Sequence, residues 1–99
     1  MAIPMRYRPG VDVDTFEPGD WDYFASAIDD RAGIIVRVPT GGHSYLPMRG
    51  KGAGIGRGAE WDFAGDEATG LTLTPSVLHA AGTRHEWHGY ITAGQLVPC

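Results

Sequence analysis

The sequence predicts a single small, mainly β domain of about six or seven short and mostly antiparallel strands, with an extended N-terminal arm. The chain has 99 residues, which suffices for one domain and is too few for a second core. Fifteen glycines and seven prolines divide it into short segments, and this argues against a helical bundle. Between these turn residues lie runs rich in β-branched and aromatic side chains, which are typical of strands.

The N-terminal segment, residues 1–19, contains three prolines and little periodicity. Such a segment resists regular helix formation, and we expect an extended arm that packs against the domain or against a partner. A single β-rich domain is then predicted over residues 20–99.

Residues 20–38 allow two interpretations. Trp21, Phe24 and Ile28 fit one stripe of a helix whose N-cap is Asp20. Alternatively, DWDYFASAI and IIVRV form a hairpin around the turn DDRAG. We favour the hairpin because IIVRV is typical of a strand.

Residues 39–58 are predicted to form a loop, whose glycine-rich part covers 49–58. Alternating glycines can cradle a phosphate when they open a helix after a strand. Here they lead into EWDF at 60–63, a predicted strand, and the G-K-[ST] ending is absent. We therefore expect a surface loop that can adapt to a partner, and no nucleotide site. The strands predicted from there to the end cover 60–63, 71–74, 76–79, 86–92 and 95–98.

Composition excludes several classes of partner. The formal net charge is −4, which lacks the basic footprint of a nucleic-acid-binding protein. No apolar run approaches the roughly 20 residues that span a bilayer, so we expect no membrane partner. One cysteine cannot form an internal disulfide, and the first residues, MAIPMRYRPG, do not resemble a signal peptide.

Four candidate metal ligands stand at predicted turns or strand ends: His43, His85, His88 and Cys99. Three imidazoles and one thiolate would form a closed tetrahedral zinc site, and two ligand-bearing turns brought together would resemble a zinc ribbon. Such an ion would be structural, because a closed set leaves no position for water. A structural zinc is thus the one cofactor that the sequence suggests.

Catalytic groups are harder to find. Ser44 follows His43, but adjacent residues do not by themselves pair a nucleophile with a base, and no G-x-S-x-G motif is present. Glu86 lies between His85 and His88, in a spacing that differs from the helical H-E-x-x-H motif. We therefore predict no catalytic residue and a non-enzymatic protein.

Several segments resemble a family of small bacteriophage and prophage proteins that are often mislabelled as ammonia monooxygenase. The resemblance lies in WDFAGD at 61–66, LTLTPS at 71–76, HEWHGYITAG at 85–94 and Cys99. A cysteine-rich turn of that family is replaced here by VPTGGH at 38–43, and His85 replaces a further cysteine. The resemblance implies a phage origin and a small β fold that a bound metal ion can stabilise.

These observations lead to a predicted function in binding. We expect a structural protein of a bacteriophage, namely a capsid decoration or stabilising subunit that binds a capsid or other virion protein and assembles on a lattice. It would be found in the virion or the host cytoplasm. One alternative is a phage-encoded inhibitor of a host defence or regulatory protein. Another is a small metal-dependent hydrolase that uses His43, His85 and His88 as ligands and Glu86 as base.

Overall fold

The computed structural model describes residues 1–51 and 59–99, and the fold over these residues is built from strands. A short 3-10 turn at Val13–Thr15 interrupts the N-terminal segment. The strands are β1 (Ile3–Pro4), β2 (Arg6–Tyr7), β3 (Asp20–Phe24), β4 (Gly33–Arg37), β5 (His43–Pro47), β6 (Asp62–Ala64), β7 (Thr72–His79), β8 (Trp87–Thr92) and β9 (Gln95–Pro98). Among the described residues, no helix is long and apolar enough to cross a membrane.

The strands form two sheets. One sheet has five strands in the order β1-β9-β8-β7-β6, and the other has four in the order β2-β3-β4-β5. Neighbouring strands are antiparallel except for β2 and β3, which are parallel. The predicted fold class, a small, mainly β and mostly antiparallel domain, is confirmed.

The core lies between the two sheets and receives inward side chains from both. Ile34, Val36 and Leu46 come from the four-stranded sheet, whereas Leu73 and Ile91 come from the five-stranded sheet. All five are at most 1% exposed. Burial of such an aliphatic side chain contributes roughly 1.5–3 kcal/mol to folding, and this term holds the sheets together.

The hairpin interpretation of residues 20–38 is confirmed. β3 and β4 pair antiparallel, with Trp21 opposite Val36 and Phe24 opposite Gly33. The helix is excluded because both strands use their main-chain groups in this ladder, and because Ile28 of the helical stripe is exposed.

The N-terminal segment contributes a strand to each sheet. β1 pairs with β9, and β2 pairs with β3. Between them and the domain lies a charge cluster in which Arg6 Nε donates to Asp20 Oδ1 at 3.1 Å and Arg8 Nη1 donates to Oδ2 at 3.5 Å. Burial alone would raise the pKa of Asp20, but the hydrogen bond from Arg6, that from the Glu17 amide and the nearby positive charges outweigh it, so the pKa lies below its usual value.

Two details differ from the predicted elements. The predicted loop at 39–58 was wrong over His43–Pro47, because this segment pairs with β4 along its whole length as β5. The glycines at 52–58, most of the predicted contact loop, lie outside the described residues. The two strands predicted at 71–74 and 76–79 form one strand, β7, whose register with β8 shifts midway.

Candidate functional site

The register shift in β7 marks the candidate site. Leu73 pairs with Ile91 and Val77 pairs with Gly89, so three residues of β7 face one residue of β8, Tyr90. Extra residues of this kind form a bulge, which bends the strand and turns its side chains away from their regular directions. Bulges are common beside active sites for this reason. The last of the three residues is Ser76.

The Ser76 hydroxyl meets a histidine of the neighbouring strand. Side chains of β8 alternate between buried and exposed, and His88 lies on the exposed face. Ser76 Oγ is 3.1 Å from His88 Nε2. When the ring carries its proton on Nδ1, Nε2 accepts the hydrogen bond from the hydroxyl, which is the arrangement that a general base needs. We call these two residues the Ser76–His88 pair.

Among the three serines of the chain, Ser76 alone has this partner. The Ser26 hydroxyl accepts a hydrogen bond from the Ile28 amide in a turn. Ser44 is only 7% exposed on β5, on the opposite sheet from β7. All three lie within the described residues, so the Ser76–His88 pair is the single serine–histidine hydrogen bond of that part of the chain.

Trp61 holds the main chain of the nucleophile candidate. Its indole Nε1 donates to the Ser76 carbonyl oxygen at 3.2 Å. Trp61 lies directly before β6, the strand that pairs with the other side of β7, and it packs against the core. Ser76 is therefore anchored through its main chain by a half-buried ring while its hydroxyl faces outward.

The four predicted metal ligands occupy separate positions. His43 Nε2 is 2.8 Å from the Val13 carbonyl oxygen, which uses that ring nitrogen. His85 lies in the exposed loop before β8, where Arg84 Nε approaches its Nε2 at 3.3 Å. His88 pairs with Ser76, and Cys99 is exposed.

His88 and Cys99 do share a main-chain contact, since the Cys99 amide donates to the His88 carbonyl oxygen at 3.1 Å. Across 1–51 and 59–99, however, no group of three or more His, Cys, Asp or Glu side chains is placed to hold a metal ion. The zinc site stays a prediction without a ligand group to support it.

The fourth histidine, His79, has a different environment. Its ring lies against Gly42, where a Cβ would stand 2.5 Å from His79 Nε2. Burial lowers the pKa of His79, and the charges of His85 and His43 lower it further. His79 is a packed side chain at the end of β7, three residues after Ser76.

Sequence reasoning missed the Ser76–His88 pair for an identifiable reason. It tested serines against the G-x-S-x-G motif and placed Ser76 at the start of a plain strand. The usable signal was the hairpin: strands at 76–79 and 86–92 must lie side by side, and Ser76 and His88 fall on their outward positions. The bulge that brings the two side chains together could not be read from residue types.

Comparison with known proteins places most of the chain in a described family. A family model described as "Bacterial ubiquitination-like system serine protease (BubE)" matches residues 16–99. No curated protein and no solved structure matches the chain.

The match overturns the predicted function. A component of a bacterial ubiquitination-like system is not a structural protein of a bacteriophage particle, so the prediction of a capsid decoration subunit was wrong. The two alternatives also differ in class from a serine protease. One was a phage-encoded inhibitor, and the other was a metal-dependent hydrolase with Glu86 as base. The family description also points to an enzymatic role, against the expected non-enzymatic protein.

Proposed function

The chain belongs to the family of bacterial ubiquitination-like system serine proteases (BubE), and from this premise we propose that Ser76 is a catalytic nucleophile and His88 its general base. The observation that carries the proposal is the 3.1 Å contact between Ser76 Oγ and His88 Nε2. A serine protease needs a hydroxyl within hydrogen-bond reach of a base, and the described part of the chain offers one such pair.

The proposed reaction is amide hydrolysis in two steps. Ser76 Oγ attacks the carbonyl carbon of the scissile bond, and its proton passes to His88 Nε2. The C–N bond breaks as His88 returns this proton to the leaving amine, which leaves an acyl ester on Ser76. Water then attacks the ester, gives a proton to His88, and releases the carboxylic acid as Ser76 Oγ regains its proton.

Stabilisation of the developing oxyanion requires hydrogen-bond donors in place before reaction. Our candidate is the main-chain N–H of Ser76, because the nucleophile's own amide has this role in other serine proteases. The shifted register between Leu73 and Val77 supports it, since the regular ladder with β8 is interrupted there. Among the described residues, no carboxylate hydrogen-bonds to the His88 ring, and we therefore propose a dyad.

A protease acts on a protein, and so the partner we propose is a protein substrate of the ubiquitination-like system. This retains the predicted protein partner in a different form, with a substrate chain in place of a phage capsid. The open position of the Ser76–His88 pair suits a large substrate, because both side chains lie on an outward sheet face that a folded protein with a flexible segment can reach.

Hydrolysis of a mixed pool of internally quenched peptides tests the proposal. We expect the wild-type protein to cleave members of the pool, and Ser76→Ala to lose at least about a hundredfold in rate, the scale of losing a catalytic group. Ser26→Ala is the matched control, because this half-buried serine lies in the turn after β3, on the other sheet from β7. Equal activity of Ser76→Ala and Ser26→Ala would exclude Ser76 as the nucleophile.

A further inference from the structure

On the described strands β7, β8 and β9, the sheet face that holds the Ser76–His88 pair presents polar and apolar side chains without ionised groups. Along β7, β8 and β9, the outward positions carry no Asp, Glu, Lys or Arg, although 20 of the 99 residues of the chain are of these types. These outward residues are Thr72, Thr74, Ser76, Leu78, His88, Tyr90, Thr92, Gln95 and Val97. On the neighbouring strand β6, Asp62 lies opposite Thr74 and is paired with Arg49 Nε at 2.8 Å.

Two large apolar side chains stand on this uncharged face. Leu78 is 53% exposed and Tyr90 is 47% exposed, so each leaves about half of its surface in water. Leu78 lies directly opposite His88 in the β7–β8 ladder, and Tyr90 is two residues from His88 on the same strand face. Side chains in these positions are about 5–8 Å apart, so they flank the Ser76–His88 pair.

We propose that this face, Leu78 and Tyr90 with the Ser76–His88 pair between them, binds an extended peptide segment that carries a large apolar residue within two positions of the scissile bond. The proposal rests on the proposed function, because that function places the scissile bond at Ser76. Its substrate class is a flexible, uncharged segment of a protein chain. An acidic or basic residue in the same place is rejected.

The physical reason is the difference in burial free energy between apolar and charged side chains. An apolar residue seated beside Leu78 and Tyr90 removes apolar surface of both partners from water, which is favourable. A carboxylate or ammonium group there would lose hydration without finding an opposite charge on β7–β9. Exposed apolar surface rimmed by polar groups, as found here, is characteristic of binding sites.

Peptide pairs test the preference directly. The probes are internally quenched octapeptides that differ only at the two residues flanking the central bond. One set carries Leu or Phe at these positions and the other carries Asp or Lys, and the two sets are compared by kcat/KM. For the wild-type protein we expect the Leu and Phe peptides to exceed the charged ones by about tenfold or more, the scale of apolar pocket discrimination. Leu78→Thr and Tyr90→Thr keep a good strand former at each position. Each substitution should remove most of the roughly tenfold ratio between the kcat/KM of the apolar and of the charged peptides.

Tyr45→Thr is the matched control. Tyr45 is 51% exposed on β5 of the other sheet. Its substitution removes a comparable exposed aromatic ring without changing the face of β7–β9, so the ratio of apolar to charged peptide cleavage should be unchanged. Equal cleavage of apolar and charged peptides by the wild-type protein, or an unchanged ratio in both Leu78→Thr and Tyr90→Thr, would overturn the proposal.

A binding measurement separates this proposal from the proposed function. Fluorescence anisotropy with Ser76→Ala protein and the labelled peptides reports recognition without chemistry. Tighter binding of the Leu and Phe peptides, weakened by Leu78→Thr, would support the apolar face even if cleavage proved independent of Ser76. Cleavage that depends on Ser76, with no apolar preference in either assay, would leave the catalytic pair in place and refute the apolar face.

Discussion

Trp61 Nε1 and the Ser76 carbonyl oxygen lie 3.2 Å apart and join the edge of the five-stranded sheet to its bulge. The regular ladder of hydrogen bonds to β8, which fixes the rest of β7, is interrupted at the bulge. The hydrogen bond from Trp61 therefore helps to fix the main chain of Ser76. A ring packed against the core thus sets the position of the residue whose hydroxyl meets His88.

Trp61→Phe removes this hydrogen bond and keeps most of the ring. A typical hydrogen bond contributes about 0.5–1.5 kcal/mol, and we expect kcat to fall by roughly two- to tenfold. KM should change little, because Trp61 acts through Ser76 and does not contact the outward face. Peptide kinetics measure both constants. A rise in KM at constant kcat would show that Trp61 contributes to substrate binding instead.

His88→Gln removes the proposed base from an exposed position. We expect kcat/KM to fall by at least about a hundredfold, since general-base catalysis contributes on that scale. Stability should hold, because exposed substitutions usually change the free energy of unfolding by less than about 0.5 kcal/mol. The control is His85→Gln in the exposed loop before β8, which should keep full activity. Similar losses in both variants would argue against a specific role of His88.

Trp87→Ala tests the packing beneath the site. Trp87 is 7% exposed and fills the space over Gly89, where a Cβ would lie 2.5 Å from the indole ring. Truncation of a buried tryptophan typically costs about 3–5 kcal/mol, a large share of the stability of a small domain. Urea denaturation followed by circular dichroism should therefore show an unfolded or strongly destabilised variant. A normally folded Trp87→Ala protein would contradict the packing described here.

Tyr23 of β3 contacts the turn between β6 and β7 in a pH-dependent way. Its hydroxyl donates to Glu67 Oε1 at 2.8 Å, and the Arg31 guanidinium lies 4.1 Å from its ring centre. Burial, together with the hydrogen bond to Glu67, raises the pKa of Tyr23 to about 12. The folded state thus holds the phenol proton more tightly than the unfolded state, whose pKa is about 10.

The stabilisation that follows is complete below about pH 10 and is lost as the pH rises towards 12. Tyr23→Phe should therefore have a lower free energy of unfolding than the wild type near neutral pH. Between pH 10 and 12, the free energy of unfolding should fall less in Tyr23→Phe than in the wild type. Urea titrations at both ends of that range measure this difference, with Tyr45→Phe as the exposed control. Parallel pH curves for wild type and Tyr23→Phe would refute the role of the link.

The fold was readable from the sequence to the extent that strands depend on local residue types. IIVRV and the turn DDRAG suffice to predict the hairpin of β3 and β4, and the alternation in WHGYIT predicts β8. β5 was missed because HSYLP follows two glycines and owes its strand geometry to pairing with β4. The Ser76–His88 pair was missed because a bulge in β7, a tertiary feature, creates it.

The most direct test of the catalytic proposal is the site of covalent modification by a fluorophosphonate, which reacts with activated serines. After incubation of the wild-type protein, digestion and peptide mass spectrometry should locate one adduct on Ser76, with Ser26 and Ser44 unmodified. The adduct should be lost in His88→Gln and retained in His85→Gln. Modification elsewhere, or modification of Ser76 that persists at the same rate in His88→Gln, would contradict the assignment of the Ser76–His88 pair.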